Sequence, residues 1–290
     1  MPPEAAPPSF AELARPLPVT SARAWRFAAL RAANRVGALA SDGLRIGYRH
    51  GFDSGPFMAH VYANRPAGRT PVGRALDGRL LRRPTCEAFR DIRALAELAV
   101  LEAIDAGGTV VADLAAGPAP YLLRALAQRP GVRAVVGDVD PAALDQARAA
   151  ASRLGVDERV DVRRADAFSR DSLAALDADV VVELGLYGIY HDDEKIARHF
   201  RDLAELVAPG QVVFNVQTRN PEIEHIARVW RNAAGERCVW RLRPVEQILG
   251  YAEAAGFAPA SVTADRHGIY RVVRLVRSPP GDPAHGGGRP

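Results

Sequence analysis

From residue 109 to residue 217 the hydrophobic positions keep switching between two periods. TVVADL (109–114), VRAVVGDV (132–139), VDVRRAD (160–166), DVVVELG (179–185) and QVVFNVQ (211–217) are short, mostly apolar runs of strand length. Between them lie PYLLRALAQRP, AALDQARAAASRLG with Gly155 as its stop, and DEKIARHFRDLAELV, in which Ile196, Phe200, Leu203 and Val207 share one helical face. Apolar strands alternating with amphipathic helices predict an α/β fold, a parallel sheet covered on both faces. The chain then changes style. PVEQILGYAEAAGF reads as a helix ending at Gly256, and ASVTAD and GIYRVVRLVR read as two strands joined by a few turn residues. That ending predicts a terminal β-hairpin at a sheet edge, which is not how the common dinucleotide fold finishes.

Upstream the pattern is less regular. Residues 22–39 have helical spacing, with Trp25, Ala29, Ala32, Val36 and Leu39 on one face and Phe27 and Leu30 nearly opposite. So blurred an amphipathic pattern predicts a helix packed between two surfaces rather than one lying on a membrane. Glycines and prolines punctuate residues 41–84 so often that a loop-rich segment is expected, with one short helix near Phe57–Tyr62. A helix follows over about 85–105, with Thr85 as N-cap and Gly107 and Gly108 as its stop. The expected organisation is a flexible proline-rich arm (1–20), an N-terminal helical or lid segment (21–106), an α/β domain (107–277) and a disordered tail (278–290).

Composition narrows the function little. Hydrophobic residues are 48% and charged residues 25% of the 290, as in an ordinary globular protein, and a net charge of +4 is a weak argument for nucleic acid. Cys86 and Cys238 have no metal-knuckle or CxxC partner, so no metal is expected and a reducing compartment is suggested. No apolar run reaches membrane-spanning length, and the first residues lack the order of a secretory signal. A cytoplasmic protein is expected, and the oligomeric state is open.

The candidate chemistry sits at the strand ends. In VVADLAAGPAPYLLRAL, Asp113 ends the first strand, Ala115, Ala116 and Gly117 keep the turn small, and Pro118 and Pro120 lack N–H groups. A pyrophosphate would need those donors, so the turn suits an adenosine–amino-acid ligand better than a dinucleotide. Asp138 ends the second strand, where an acid receives ribose hydroxyls, while Asp140 and Pro141 begin the next helix. Asp166 follows the third strand, placed for an adenine amino group, with Ala167 and Phe168 beside the ring. After the fourth strand come Glu183, Leu184, Gly185, Tyr187, Tyr190 and His191. Leu184 and Gly185 are candidates for the cofactor wall. His191, Tyr187 and Glu183 are the candidate catalytic groups, each alternatively a packing or capping residue. His50 and Asp53 are further candidates from the N-terminal segment. Asn215 and Gln217 bring amides to the same edge, and Arg219 is placed for an anionic substrate group, whereas His225 reads as a helix or loop residue.

Over about residues 41–277 the chain resembles the class I S-adenosylmethionine-dependent methyltransferases, on DGLRIGYRHGFDSG, VGRALDGRLL, VVADLAAG, GLYGIY and the long run NPEIEHIARVWRNAAGERCVWRLRPVEQILGYAEAAGF. It is similar in particular to a bacterial group sometimes fused to, or encoded with, hydrolase or phosphatidyltransferase-like modules. The resemblance implies a Rossmann-like seven-stranded sheet with a reversed last strand and S-adenosyl-L-methionine as cofactor. It implies cofactor contacts at Asp113, Ala115, Gly117, Asp138, Asp166, Ala167, Leu184 and Gly185. The chain departs from the general class pattern at Ala115 and Ala119, where glycines are usual; alanine fits there without strain if φ is negative. It has no Asn-Pro-Pro-Tyr motif after the fourth strand. The expected function is methyl transfer to an unidentified small molecule, in one version lipid-related. The alternative is a catalytically degenerate relative that binds a ligand or partner. A nicotinamide oxidoreductase is disfavoured by the two prolines.

Overall fold

A computed structural model of the protein describes residues 8–277. The expected tail (278–290) and residues 1–7 of the expected arm lie outside the described residues. Seven strands form one sheet in the order β3-β2-β1-β4-β5-β7-β6. β1 (Val110–Asp113), β2 (Arg133–Asp138), β3 (Val160–Arg164), β4 (Val180–Glu183) and β5 (Gln211–Gln217) are parallel. β7 (Tyr270–Arg277) enters antiparallel between β5 and β6 (Phe257–Ala264), so the terminal hairpin reverses the last strands as expected. Every residue of β4 and β5 is buried, which explains their mostly apolar character.

Helices cover both faces. Four helices follow the N-terminal arm and precede the sheet: α2 (Ala22–Gly37), α3 (Asp42–His50), α4 (Gly55–Ala63) and α5 (Pro71–Leu81), with α1 (Phe10–Ala14) inside the arm itself. α6 (Pro84–Asp105), α7 (Pro120–Gln128) and α8 (Pro141–Leu154) pack one face of the sheet through Val100, Leu122, Leu126 and Ala147. α9 (Arg170–Ala174), α10 (Leu186–Ile189), α11 (Asp193–Asp202, continued by a π-helical turn to Val207) and α13 (Val245–Ala254) pack the other through Leu173, Tyr187, Phe200 and Ile248. α12 (Ile223–Val229) joins the N-terminal helices instead. Trp230, just after it, stacks on Phe52 at 4.9 Å and 12° within a core shared by Phe27, Phe57, Leu81 and Phe89.

Four expectations need correction here. Residues 41–84 are not loop-rich: they form α3, α4 and α5. The glycines that argued for loops are close-approach positions. A Cβ at Gly43 would lie 2.6 Å from Asp77 Oδ1, one at Gly47 2.4 Å from the Phe52 ring, and one at Gly73 2.2 Å from the Ala40 carbonyl. Pro56, Pro71 and Pro84 stand in first turns, where a missing N–H costs nothing, and Pro66 lies in the connection between α4 and α5. Buried Asp77 ties these helices together, accepting from Ser41 Oγ (2.7 Å), Gly43 N (2.6 Å), Ala67 N (2.9 Å) and His60 Nε2 (2.9 Å).

Second, the arm is not loose from Ser9 on. Ser9 and Glu12 form a capping box, Leu13 is buried, and Arg228 donates to the carbonyls of Glu12, Leu13 and Arg15. Third, α2 buries its Phe27 face and exposes the other: Trp25 is 69%, Val36 68% and Leu39 71% exposed. Thr85 likewise is not the cap of α6. Arg83 holds that position, and Thr85 is buried against Asn220.

Candidate active site

At the C-terminal ends of β1, β4 and β5 lies a cavity of about 280 Å³. Ligands collect at such strand ends in open α/β sheets because small-residue turns there expose backbone. Ala115, Gly117, Leu184 and Gly185 line one side, and Tyr62, Phe89, Arg93 and Trp240 line the other. The N-terminal helices therefore build the second wall.

The turn after β1 keeps its donors for itself. Ala115 N donates to Asp113 (2.9 Å), Ala116 N to the Gly137 carbonyl (3.1 Å), Gly117 N to Asp138 Oδ2 (2.8 Å) and Ala119 N to the Ala116 carbonyl (2.9 Å). Pro118 and Pro120 have none to give. Nothing is left for a pyrophosphate, as the prolines suggested. Gly117 (φ +54°) and Gly185 (φ +74°) are left-handed, and no atom lies within 4 Å of the Cβ either would carry. Their bare backbone faces open space on the cavity side. Ala119, however, adopts φ +46°. The condition of negative φ fails, and the turn bears a left-handed alanine, at a cost of about 1–2 kcal/mol.

The expected cofactor residues divide into four places. Ala115, Gly117, Leu184 and Gly185 line the cavity. Asp138 stands half-buried at the end of β2, its Oδ1 accepting from Asp140 N at 2.9 Å while Oδ2 holds Gly117. Asp166 is exposed beyond β3, accepting from Phe168 N (2.9 Å), with Ala167 buried beside it. Burial first, and then the carboxylates of Asp166 and Asp138, raise the Tyr190 hydroxyl above its ordinary range. Phe168 meets the Tyr190 ring edge-on at 4.4 Å, and Lys195 Nζ lies 4.3 Å from both ring centres. Asp113 lies beneath the turn, fully buried, and takes the Tyr121 hydroxyl as well as Ala115 N, so it supports the turn without reaching a ligand.

The structure does not bring the three candidate catalytic groups to the cavity. Glu183 is fully buried with a carboxylate oxygen 3.2 Å from His199 Nε2, itself buried on α11. Tyr187 is packed between Phe200 and Phe214 at 5.4 and 5.5 Å; burial, then Glu183, raises its hydroxyl well above the usual range. Both alternate into the core because β4 and the turn after it point these side chains down. His191 lies on the surface, its Nε2 donating to the Val239 carbonyl oxygen (3.0 Å), with the Phe10 ring tilted against it at 4.4 Å. His50 and Arg219 are exposed and line no part of the cavity.

The rest of the cavity lining comes from elsewhere. Asp53 stands at the rim, its Oδ1 accepting from Ala233 N (2.9 Å). Arg93 has its guanidinium carbon 4.9 Å from the Tyr62 ring centre and forms no ion pair among the described residues. Burial pushes the Tyr62 hydroxyl up to about 12, so it stays protonated near neutrality. Asn215 holds Gly185 N (2.6 Å) and Gln217 donates to Tyr270 (3.1 Å), both at the inner end. Arg243, 1% exposed, pins the wall after β4 by donating to the carbonyls of Tyr187 and Tyr190 and pairing with Asp193 at 2.7 Å. Sequence reasoning missed Arg93, Trp240 and Arg243. Their signal is tertiary, since each joins the site from a segment remote from the strand-end motifs. No group of three or more His, Cys, Asp or Glu placed to hold a metal occurs among the described residues.

A seven-stranded sheet with a reversed β7, a small-residue turn after β1 and acids at successive strand ends define the class I methyltransferase fold. Solved structures agree on that fold. A protein of Bordetella parapertussis described as a possible exported protein matches with a TM-score of 0.63 at 20% identity, over 89% of this chain and 98% of that one. Magnesium protoporphyrin IX methyltransferase (ChlM) from Synechocystis PCC 6803, with bound SAH, matches with a TM-score of 0.54 at 16% identity, over 79% and 98%. Residues 5–277 match a family model, and the chain belongs to that family, described as "Putative methyltransferase". The uncharacterised protein YnbC of Escherichia coli (strain K12) is 29% identical over 264 residues, 88% of this chain. The chain spans 45% of that relative's length.

Proposed function

We propose that the protein transfers a methyl group from S-adenosyl-L-methionine to a small acceptor with a largely apolar body and an anionic group. The observation that carries this reading is the two-sided cavity. One side is a bare-backbone turn with no spare N–H groups; the other is Tyr62, Phe89, Trp240 and the unpaired Arg93. The first side fits the cofactor. Gly117 and Gly185 leave room for close approach, Asp138 is assigned to the ribose hydroxyls, and Ala115, Leu184 and Gly185 form an uncharged wall. Asp166, Ala167 and Phe168 are assigned to the adenine end, and Asp113 to support of the turn. When bound, this cofactor supplies an electrophilic methyl group on a sulfonium.

The chain's own work is alignment and exclusion of water. Trp240 and Phe89 hold the flat or apolar part of the acceptor, and Arg93 holds its anion. For a hydroxyl acceptor, Asp53 takes the proton released, being a carboxylate on the cavity wall. Glu183, Tyr187 and His191 then act behind the wall as packing and positioning groups. An acceptor of lipid-related type satisfies the apolar lining. The buried free thiols of Cys86 and Cys238 support a reducing, cytoplasmic setting, and no described helix is long and apolar enough to cross a membrane.

Calorimetric titration with S-adenosylhomocysteine tests the reading, with Asp138→Ala as control. Micromolar binding that the variant loses is expected, followed by methylation of an apolar anion in an acceptor screen. Absence of binding to folded wild type overturns it. Binding without turnover on any acceptor would favour a degenerate binding protein, the reading that left-handed Ala119 and the occupied Asp113 support.

A further inference from the structure

A second cavity, of about 420 Å³, opens on the opposite side of the Trp230 core, between the arm, α2 and the segment after α12. Its polar lining consists of guanidinium groups alone: Arg31, Arg228, Arg231 and Arg237. Its apolar lining includes Leu17, Phe27 and the exposed indole of Trp25. Accounting for the charges shows an excess. Arg31 donates to the Arg228 carbonyl (2.9 Å), Arg228 to three carbonyls of the arm, and Arg237 to the carbonyls of Leu13, Ala14 and Arg15. Carbonyls fix these side chains without neutralising them. Glu224 lies 3.8 Å from Arg228 Nε but is engaged at 2.7 Å by Arg23. Arg231 makes no side-chain hydrogen bond or ion pair among the described residues, and Arg228 Nε is buried without a hydrogen-bond partner.

Like charges held together in a partly buried pocket are costly unless an anion joins them. Burial first, then neighbouring arginines, lower the pKa of Arg231, as a missing counter-ion would predict. We propose that this cavity is a binding site for a phosphate monoester carrying an apolar group. Planar guanidinium forks match phosphate oxygens, and the excess over the single Glu224 favours a dianion over a carboxylate. Trp25, which has no packing partner on its solvent side at 69% exposure, covers the apolar part. The site is separate from the methyl-transfer reading and does not depend on it.

The test is calorimetric titration of the full chain with hexyl phosphate and with inorganic phosphate, on wild type, Arg231→Ala and Trp25→Ala. Neither side chain supports the fold through a hydrogen bond. Saturable hexyl phosphate binding is expected, weakened roughly tenfold or more by Arg231→Ala. Trp25→Ala should weaken hexyl phosphate while leaving inorganic phosphate unchanged. S-adenosylhomocysteine affinity should be the same in all three proteins, which separates failure here from failure of the methyltransferase reading. Sedimentation with phosphatidylcholine vesicles containing phosphatidate identifies the source. Vesicle binding lost in Arg231→Ala and competed by hexyl phosphate supports a lipid headgroup, and hexyl phosphate binding without vesicle binding supports a free phosphate ester. No saturable hexyl phosphate binding, or equal binding by Arg231→Ala, overturns the proposal.

Discussion

Replacing Asp113 by asparagine should stabilise the protein increasingly as pH rises, while leaving the turn after β1 in place. Asp113 is fully buried. Burial first, and then the nearby carboxylate of Glu183, raise its pKa well above the ordinary 3.8, by more than Tyr121 and the Ala115 N–H lower it. The native state therefore binds this proton more tightly than the unfolded chain does. Its contribution to stability is fully present below the unfolded value and is lost as pH climbs toward the folded value. Within that window each pH unit costs about 1.4 kcal/mol. The amide variant is neutral throughout and keeps an oxygen for Ala115 N. Its advantage over wild type should therefore grow by about that amount per unit above pH 3.8 and level off at the folded pKa. Urea unfolding at a series of pH values, with constant m, measures it. A stability difference that does not vary with pH would refute the argument, because it would mean that Asp113 titrates alike in both states.

Asp77→Ala should destabilise the protein by about 3 kcal/mol in the same assay, since four donors lose their acceptor, two of them fully buried. Burial raises the Asp77 pKa but its four hydrogen bonds outweigh that and lower it overall. Its stabilisation is present above pH 3.8 and should disappear as pH falls through the depressed native value, giving an acid unfolding step that the variant lacks. Ala119→Gly should raise stability by about 1 kcal/mol, the left-handed cost less the entropy glycine adds to the unfolded chain; a lower midpoint would contradict the positive φ. Arg93→Ala should raise the acceptor KM by roughly tenfold with S-adenosylhomocysteine affinity unchanged, and an equal loss of both would place Arg93 on the cofactor side.

The sheet was legible because its signal is local. β4 and β5 are buried along their whole lengths, so VVVE and QVVFNVQ read as mostly apolar runs wherever the chain places them. The hairpin was legible for the same reason. The N-terminal helices were not, because Gly43, Gly47 and Gly73 look like helix breakers in one dimension. Only the neighbours at Asp77, Phe52 and Ala40 show that these positions need the missing Cβ. The face of α2 was misjudged by a related route. Phe27 alone outweighs the longer stripe through Trp25 and Val36, because the core it enters is supplied by Phe57 and Trp230 from distant segments.

The two halves of the site differ in the same way, and that difference explains why the cofactor is easier to infer than the acceptor. Ala115, Gly117, Asp138, Leu184 and Gly185 follow strand ends, and a parallel sheet brings all its strand ends to one edge whatever the rest of the chain does. The side chains proposed to hold the acceptor come from α4, α6 and the strap before α13. What positions them is a contact no local pattern encodes: Phe52 stacks on Trp230, the Phe52 N–H donates to the Arg231 carbonyl, and Trp230 meets Trp240 at 6.3 Å. The same strap begins at Arg231, on the wall of the arginine cavity, and passes through Trp240 on the wall of the acceptor cavity.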